Sequence, residues 1–113
     1  MNNIAIFASG KGSNMFQIAR KFEQSEDVLV RLVVASRASA GDLDHAKACS
    51  IESIVMTKDD LADPQTLLAE LRAREIEWLV LAGWLLLLHA EVIEAYRGRI
   101  INVNPSLLPE FGG

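Results

Sequence analysis

Short runs of apolar residues alternate with longer amphipathic segments along the chain. The runs cover residues 4–8, 28–35, 51–56, 78–82 and 100–103. Near-continuous apolar runs of this length are typical of strands that are covered on both faces, as in a parallel sheet. We therefore predict five strands, with Arg31 as a polar interruption of the second.

The first two segments between these runs predict two helices, the first from a clear apolar periodicity and the second from a weak one. In the first segment, apolar residues spaced i, i+3, i+4 and i+7 form one face of a helix; they are Met15, Ile18, Ala19 and Phe22. Asp42 is expected to cap a second, short helix that ends at Ala48, although the apolar periodicity there is weak.

Start and stop signals indicate two further helices. Asp63 followed by Pro64 offers a carboxylate cap and a proline at the first helical position. The apolar stripe of this helix consists of Leu67, Leu68 and Leu71. The last helix is predicted over residues 90–96 and is expected to end at Gly98. Its inward-facing side chains are expected to be Val92, Ile93 and Tyr96.

Strands and helices thus alternate strictly, which predicts an α/β fold. We expect residues 1–113 to form a single domain with an open, doubly wound, mostly parallel sheet and helices on both faces. Ligands of such sheets bind at the carboxyl ends of the strands, near the topological switch point. The segments of interest are therefore residues 9–14, 36–41, 83–89 and 102–113.

Composition and charge exclude several classes of protein. Half of the 113 residues are apolar and 23% are charged, which is the composition of a folded domain. Lys and Arg total 11 against 15 Asp and Glu, so a nucleic-acid binder is not expected. The longest apolar run is too short for a membrane span, which takes about 20 helical residues.

The cysteine count and the beginning of the sequence indicate the expected cellular setting. Cys49 is the single cysteine, so an internal disulfide framework is excluded, and no Cys/His cluster suggests a metal site. The sequence MNNIAIF lacks the features of a signal peptide. We therefore expect a cytoplasmic protein without a metal and without membrane attachment.

A glycine-rich segment, Ser-Gly-Lys-Gly-Ser-Asn, follows the first predicted strand. Its glycines allow close backbone approach, and the free N–H groups at the start of the next helix favour an anion. Gly12, Ser13 and Asn14 are thus candidate phosphate ligands, although a tight turn without a ligand fits equally well. Walker A order is absent, and Met15 replaces the third glycine of the dinucleotide fingerprint, which disfavours ATP and NAD.

Two asparagines at alternate positions end the fifth predicted strand. In an extended chain, Asn102 and Asn104 would point to the same side, and Pro105 then ends the ladder of strand hydrogen bonds. An amide that points into a cleft can donate to a developing oxyanion. Asn-Pro-Ser is also a good turn sequence, so a purely structural role is the alternative.

Together, three motifs resemble the glycinamide ribonucleotide formyltransferase family. They are the glycine-rich segment after the first strand, Val-Leu-Ala-Gly-Trp-Leu after the fourth, and Asn-Val-Asn-Pro-Ser-Leu-Leu-Pro after the fifth. The resemblance runs along the whole chain but covers only the N-terminal half of the family's length. This sequence resembles two related families, the methionyl-tRNA formyltransferases and the formyltetrahydrofolate deformylases, less closely.

The resemblance implies a formyltransferase-like, Rossmann-like fold that lacks the C-terminal part of the family fold. It also implies transfer of a formyl group from the co-substrate 10-formyltetrahydrofolate to the amine of glycinamide ribonucleotide, in purine biosynthesis and without a metal. Gly12, Ser13 and Asn14 would hold the ribonucleotide phosphate. Asn102 matches the catalytic asparagine. The residues that match folate-pocket positions are Leu85, Leu86 and Leu88, which buried core packing would also explain.

Two departures from the family pattern put turnover in doubt. Asn104 stands where the family has histidine, and asparagine does not titrate near neutral pH. The family's catalytic aspartate lies beyond Gly113. A catalytically silent relative that pairs with another chain, or self-associates through an exposed sheet edge, is therefore the alternative hypothesis. A second alternative hypothesis is a related enzyme that hydrolyses or transfers the formyl group of formyltetrahydrofolate. A third, which the sequence supports less, is a generic nucleotide-binding domain.

The remaining acidic and histidine side chains are not expected to carry chemistry. Asp59, Asp60 and Asp63 are interpreted as helix caps or solvated charges. His45 and His89 are interpreted as surface or helix-terminal residues.

Overall fold

The computed structural model describes residues 2–8, 13–23, 25–37, 41–82, 84 and 88–103, without the side chains of Ser13, Asn14 and Asp42. Within these ranges one sheet contains β1 (Asn2–Ala8), β2 (Val28–Ala35), β3 (Glu52–Val55), β4 (Trp78–Ala82) and β5 (Ile100–Val103). Each apolar run predicts a strand at the right place. The third strand is shorter than expected, because Ile51 and Met56 lie outside it.

The strand order is β3-β2-β1-β4-β5, and every neighbouring pair is parallel. The chain moves outward from β1 in one direction and then returns to build the other half of the sheet. The topological switch point therefore lies between β1 and β4, and the predicted parallel α/β class is confirmed.

Five helices cover the sheet in the described ranges: α1 (Ser13–Glu23), α2 (Gly41–Ala48), α3 (Lys58–Leu61), α4 (Pro64–Ala73) and α5 (Ala90–Ala95). The predicted start of α4 is confirmed, since the Asp63 carboxylate accepts a hydrogen bond from the Gln65 backbone N–H at 3.0 Å. Gly98 has a φ of +78°, a left-handed conformation suited to glycine, in the turn that follows α5.

The two faces of the sheet carry separate apolar cores. On one face, Met15, Ile18 and Ala19 of α1 pack with Ala46 of α2 against alternate residues of β1 and β4. The opposite core joins the other set of alternate strand residues to α3, α4 and α5, and its helical members are Leu61, Leu67, Leu68, Leu71 and Val92. The predicted stripes of α1 and α4 are therefore confirmed, and the sheet is doubly wound.

Arg31 interrupts β2 in the structure as it does in the sequence. Ile4 pairs with Val30 and Ala5 pairs with Leu32, so Arg31 has no partner residue in β1. An extra residue of this kind is a β-bulge, which leaves one position unpaired and increases the local twist. Beyond the bulge, four consecutive residues of β2 are buried.

Three sequence predictions need correction. Ile93 was predicted to face inward but is 47% exposed, because Val92 and Tyr96, one helical turn apart, already form the buried face of α5. Asp42 lies inside α2, which begins at Gly41, and so is not its cap. β5 is not covered on both faces, since Ile101 is 45% exposed.

Tyr96, at the C-terminal end of α5, links this helix to the segment just before β4. The ring is buried, and the hydroxyl donates a hydrogen bond to the Ile76 carbonyl at 3.0 Å. Burial raises the pKa of the Tyr96 phenol, against the opposing effect of Arg99 and Arg72. The folded state therefore favours the neutral phenol, and the stability that depends on it is lost as the pH rises above the ordinary value of about 10.

Tyr96→Phe is expected to lower the free energy of unfolding by about 1 kcal/mol at neutral pH, because the buried Ile76 carbonyl loses its donor. The variant should also lose less stability than the wild type between neutral and strongly alkaline pH. Urea denaturation at both pH values tests this. Equal alkaline losses in the two proteins would contradict the role given to the Tyr96 hydroxyl.

Candidate functional site

Three strands end together at the carboxyl edge of the sheet. Ala82, the last residue of β4, pairs with Ala8 of β1 on one side and with Val103 of β5 on the other. With strands about 4.8 Å apart, the ends of β1 and β5 lie about 10 Å from each other. The segments that follow these strands contain the three sequence motifs, so the topology brings the starts of all three to one edge at the switch point.

The first turn of α1 begins at this edge. Ser13 and Asn14 are its first two residues, and the fully buried Met15 fixes the turn against the sheet. The first N–H groups of a helix have no partner within the helix and carry the positive end of its dipole, which suits an anion. Gly12 and the side chains of Ser13 and Asn14 lie outside the described residues.

Asn102 lies one residue before the end of β5 and is exposed. It pairs with Leu81, whose side chain packs on the face that carries α3, α4 and α5. Paired residues of parallel strands point to the same side, so the Asn102 amide belongs to that face. Within the described residues the amide has no hydrogen-bond partner, which leaves it available to a ligand. Asn104 lies outside the described residues.

An apolar wall lies on the same face as Asn102 and includes Leu81, the residue paired with it. Leu81, Trp84 and Leu88 are half-buried and pack against the core. The rings of Trp84 and Phe7 meet edge to face, with centroids 5.2 Å apart and an interplanar angle of 87°. Leu88 is therefore both a core residue and part of this wall. Leu85 and Leu86 lie outside the described residues.

Trp84 and Phe7 lie at the carboxyl edge of the sheet, and sequence reasoning did not single them out as candidate residues. Phe7 is fully buried beneath Trp84, and within the described residues the Nε1 atom of Trp84 is buried without a hydrogen-bond partner. A single tryptophan directly after a buried strand, at the edge where ligands bind, is the signal that could have pointed to it.

The amino edge of the sheet carries a different set of polar contacts. Arg74 donates to the Glu52 carboxylate at 2.5 Å and to the Glu70 carbonyl at 2.8 Å. The hydrogen bond and charge of Arg74 lower the pKa of Glu52, and the same contact raises the pKa of Arg74. Nearby, Glu77 accepts from the Asn3 backbone N–H at 3.0 Å. These contacts join the end of α4 to the start of β3, and the segment before β4 to the start of β1. They lie away from the edge where parallel sheets bind ligands.

A cleft of about 230 Å³ also opens near the amino ends of β2 and β3. Its lining includes Phe22, Val28, Cys49 and Ile51, close to the points where α1 and α2 end. The sequence motifs lie at the other edge, so this cleft is separate from the candidate site.

Asp60, Asp63 and His89 contribute to helix caps in the structure. Asp60 completes a capping box with Thr57 at the start of α3, a helix that the apolar pattern did not predict. His89 caps α5 by accepting from the Glu91 N–H at 3.1 Å. His45, in the last turn of α2, is half-buried, with its ring 4.9 Å from that of Phe16.

The part of the chain that the structure describes contains neither a cluster of metal-binding side chains nor a helix able to cross a membrane. No group of three or more His, Cys, Asp or Glu side chains is arranged there to hold a metal ion. None of the helices in those ranges combines the length and the hydropathy needed to cross a membrane.

Fold and edge together define a parallel α/β protein whose candidate site lies at the carboxyl ends of β1, β4 and β5. Residues 2–113 match the formyl transferase family. The chain therefore belongs to the formyl transferase family.

Individual relatives are similar along the whole chain. Phosphoribosylglycinamide formyltransferase of Bacillus subtilis (strain 168) is 36% identical, over 100% of this chain and 60% of the relative. The chloroplastic phosphoribosylglycinamide formyltransferase of Arabidopsis thaliana is 34% identical, over 97% of this chain and 40% of its own length. The chain thus spans about 60% or less of these relatives.

Solved structures agree in fold. Glycinamide ribonucleotide transformylase 1 from Geobacillus kaustophilus gives a TM-score of 0.81 at 34% identity, covering 100% of this chain and 63% of that one. Phosphoribosylglycinamide formyltransferase from Brucella melitensis gives 0.82 at 36% identity, covering 99% and 61%. The Rossmann-like formyltransferase fold is confirmed for the part of the family that this chain represents.

Proposed function

We propose that this chain supplies the N-terminal part of a phosphoribosylglycinamide formyltransferase, a cytoplasmic enzyme of purine biosynthesis. The observation that carries the proposal is the convergence of β1, β4 and β5 at one edge, which brings an anion-binding helix start near an exposed asparagine and an apolar wall. A two-substrate transfer needs these three features side by side, because both substrates must be held in line.

The phosphate of glycinamide ribonucleotide is proposed to bind at Gly12, Ser13 and Asn14. Backbone N–H groups at the start of α1 point toward the edge, and the helix dipole favours a dianion there. Glycine at position 12 lets the ribonucleotide phosphate approach the backbone closely. The net charge of −4 gives no general attraction for anions, so the helix start must supply it locally.

Asn102 is proposed to stabilise the oxyanion of the transfer. The substrate amine attacks the formyl carbon, and the carbonyl electron pair moves to oxygen. Collapse of this intermediate returns the pair, breaks the bond to the folate nitrogen and leaves one proton to be moved from the amine to that nitrogen. The Asn102 amide donates a hydrogen bond to the oxyanion. Asn104, in the family's histidine position, donates similarly but does not relay the proton.

The pterin end of 10-formyltetrahydrofolate is proposed to lie against the apolar wall, with Leu85, Leu86 and Leu88 as contact residues. The wall suits such a ring, because Leu81, Trp84 and Leu88 are half-buried apolar side chains on the face to which the exposed Asn102 belongs. The proposed transfer uses no metal.

A catalytically silent binding module is the second candidate function. Asn104 favours it, and so does β5, which is the outermost strand among the described residues and carries Ile101 at 45% exposure. A chain that pairs with another copy or with a C-terminal portion would cover this edge. Mixing with a separately expressed C-terminal portion of a relative distinguishes the two candidates: recovered formyl transfer supports the enzyme, whereas stable self-association without transfer supports the module.

The proposed function is tested by titrating the chain with glycinamide ribonucleotide, ATP and NAD in a calorimeter. Binding of the ribonucleotide in preference to the other two supports the proposal. Heat with ATP or NAD and none with the ribonucleotide would refute it in favour of a general nucleotide-binding domain.

Ser13→Asp is expected to weaken ribonucleotide binding about tenfold or more, because a carboxylate at the helix start repels the phosphate. Gln17→Glu adds the same charge one turn along α1, on an exposed position, and should change the affinity far less. Calorimetric dissociation constants of both variants provide the comparison. Equal weakening by the two substitutions would place the phosphate elsewhere.

A further inference from the structure

The cleft near the amino ends of β2 and β3 has an apolar floor. Four half-buried side chains line it and pack against the core that α1 and α2 cover; they are Phe22, Val28, Val30 and Ile51. The cleft has a volume of about 230 Å³. Pockets for drug-sized molecules span about 300–1,000 Å³, so this cleft suits a smaller ligand. Its floor favours a ligand with an apolar part, which is removed from water on binding.

The one charged side chain among the described lining residues is negative. Glu23 is the last residue of α1, and its exposed carboxylate has no hydrogen-bond or ion-pair partner within the described residues. Arg20 and Lys21, the basic residues of the same helical turn, are not among the residues that line the cleft. Arg20 instead extends over the Phe16 ring, 5.7 Å from its centroid. The rim therefore favours a positive charge.

Two helices end at this cleft. Glu23 ends α1, and α2 ends at Ala48, directly before the lining residues Cys49 and Ser50. The last carbonyl groups of a helix carry the negative end of its dipole, which favours a cation. Ser25 and Ser50, also in the lining, have hydroxyl oxygens that can accept hydrogen bonds from an ammonium group. The carboxylate, the helix ends and the hydroxyl groups thus favour the same kind of ligand group.

We propose that this cleft binds a small organic cation, an ammonium group on a short apolar chain. The ammonium group lies at Glu23 and the two helix ends, and the apolar chain lies against Phe22, Val28 and Ile51. An alcohol with the same chain would lack the charge, and a carboxylate with the same chain would be repelled. The cleft is at the edge of the sheet opposite the candidate site, so the inference does not rest on the proposed function.

The test compares three probes with the same six-carbon chain: hexylammonium, hexan-1-ol and hexanoate. Amide-resolved NMR titration of the chain locates each probe and gives its dissociation constant. We expect hexylammonium to shift the amides of Ser25, Cys49 and Ser50 and to bind at least about fivefold more tightly than hexan-1-ol. Hexanoate should bind more weakly than hexan-1-ol. Added salt should weaken the binding of hexylammonium only.

Glu23→Gln removes the charge that the proposal requires. It should weaken hexylammonium binding about threefold to fivefold, the upper range for a partly exposed ion pair, and leave hexan-1-ol binding unchanged. Glu26→Gln is the matched control, because Glu26 is exposed three residues further on and is not among the residues that line the cleft. It should change the affinity for hexylammonium less than Glu23→Gln does. Both variants should keep the Tm of the wild type, since both side chains are exposed.

Three results would overturn the inference. Equal affinity for the three probes would show that the cleft does not select a charge. Equal weakening of hexylammonium binding by Glu23→Gln and Glu26→Gln would show a general charge effect without a contact to Glu23. Shift changes without saturation, or shift changes away from Ser25, Cys49 and Ser50, would show that the cleft is not a binding site for this cation.

Discussion

Asn104→His is expected to increase the rate of formyl transfer by about a hundredfold, the lower end of what a positioned acid–base group contributes. Asparagine can donate a hydrogen bond to the oxyanion, but it does not take up or release a proton near neutral pH. The histidine would supply the proton transfer between the attacking amine and the departing folate nitrogen. The rate should then acquire a pH dependence with an apparent pKa near that of histidine, about 6.5.

The test uses a fusion protein, in which this chain is followed by the C-terminal portion of the Bacillus subtilis relative. That portion is the part of the relative that the chain does not cover. Formation of tetrahydrofolate at saturating substrate gives kcat, and a pH series gives the profile. Asn104→Gln is the matched control, since it keeps an amide and should leave the rate within a few-fold of the starting protein. An unchanged rate after Asn104→His would show that position 104 takes no part in proton transfer.

Asn102→Ala is expected to lower kcat by about a hundredfold to a thousandfold, the loss typical of removing one oxyanion donor. The effect is measured in the Asn104→His background, where the starting rate is highest. Because the amide acts on charge that develops only in the transition state, kcat and kcat/KM should fall together while KM for the ribonucleotide changes little. Asn102 is exposed and has no hydrogen-bond partner in the described residues, so the folded protein should keep its Tm.

Asn2→Ala is the control for this substitution. Asn2 is also an exposed asparagine on a strand, but it begins β1 at the opposite edge of the sheet. Its replacement should leave kcat unchanged. A kcat for Asn102→Ala equal to that of the Asn2→Ala control would remove Asn102 from the chemistry and favour the purely structural role of the Asn-Pro-Ser turn.

The strands were predictable because burial on both faces leaves a direct trace in the sequence. Most residues of the central strands β1 and β4 are buried, and their apolar runs are nearly continuous. Arg31 shows the same relation from the other side, since the charged residue in the second apolar run lies at the bulge, where it has no partner in β1. The order of the strands was not predictable, because it depends on contacts between segments far apart in sequence.

The helix errors have local physical causes. α5 has six residues, which is less than two turns, so the inward face holds Val92 and Tyr96 and excludes Ile93. α3 has four residues and depends on its capping box more than on an apolar stripe. Neither feature produces enough periodicity to be recognised from the apolar pattern.

The candidate site was predictable in its motifs but not in its arrangement. The glycine-rich segment and Asn102 could be recognised from the sequence, whereas their proximity depends on β4 lying between β1 and β5. The packing of Trp84 against Phe7 depends on β1 and β4 being neighbours in the sheet. Such facts follow from the three-dimensional arrangement and have no separate signature in the sequence.

The central claim is that glycinamide ribonucleotide binds where β1, β4 and β5 end. The most direct test is an amide-resolved NMR titration of the chain with this ribonucleotide. We expect changes in amide chemical shift to be concentrated at Ser13 and Asn14, with a second group at Asn102 and Val103. Shift changes concentrated at the amino edge around Glu52 and Arg74, or none at concentrations that saturate the relatives, would contradict it.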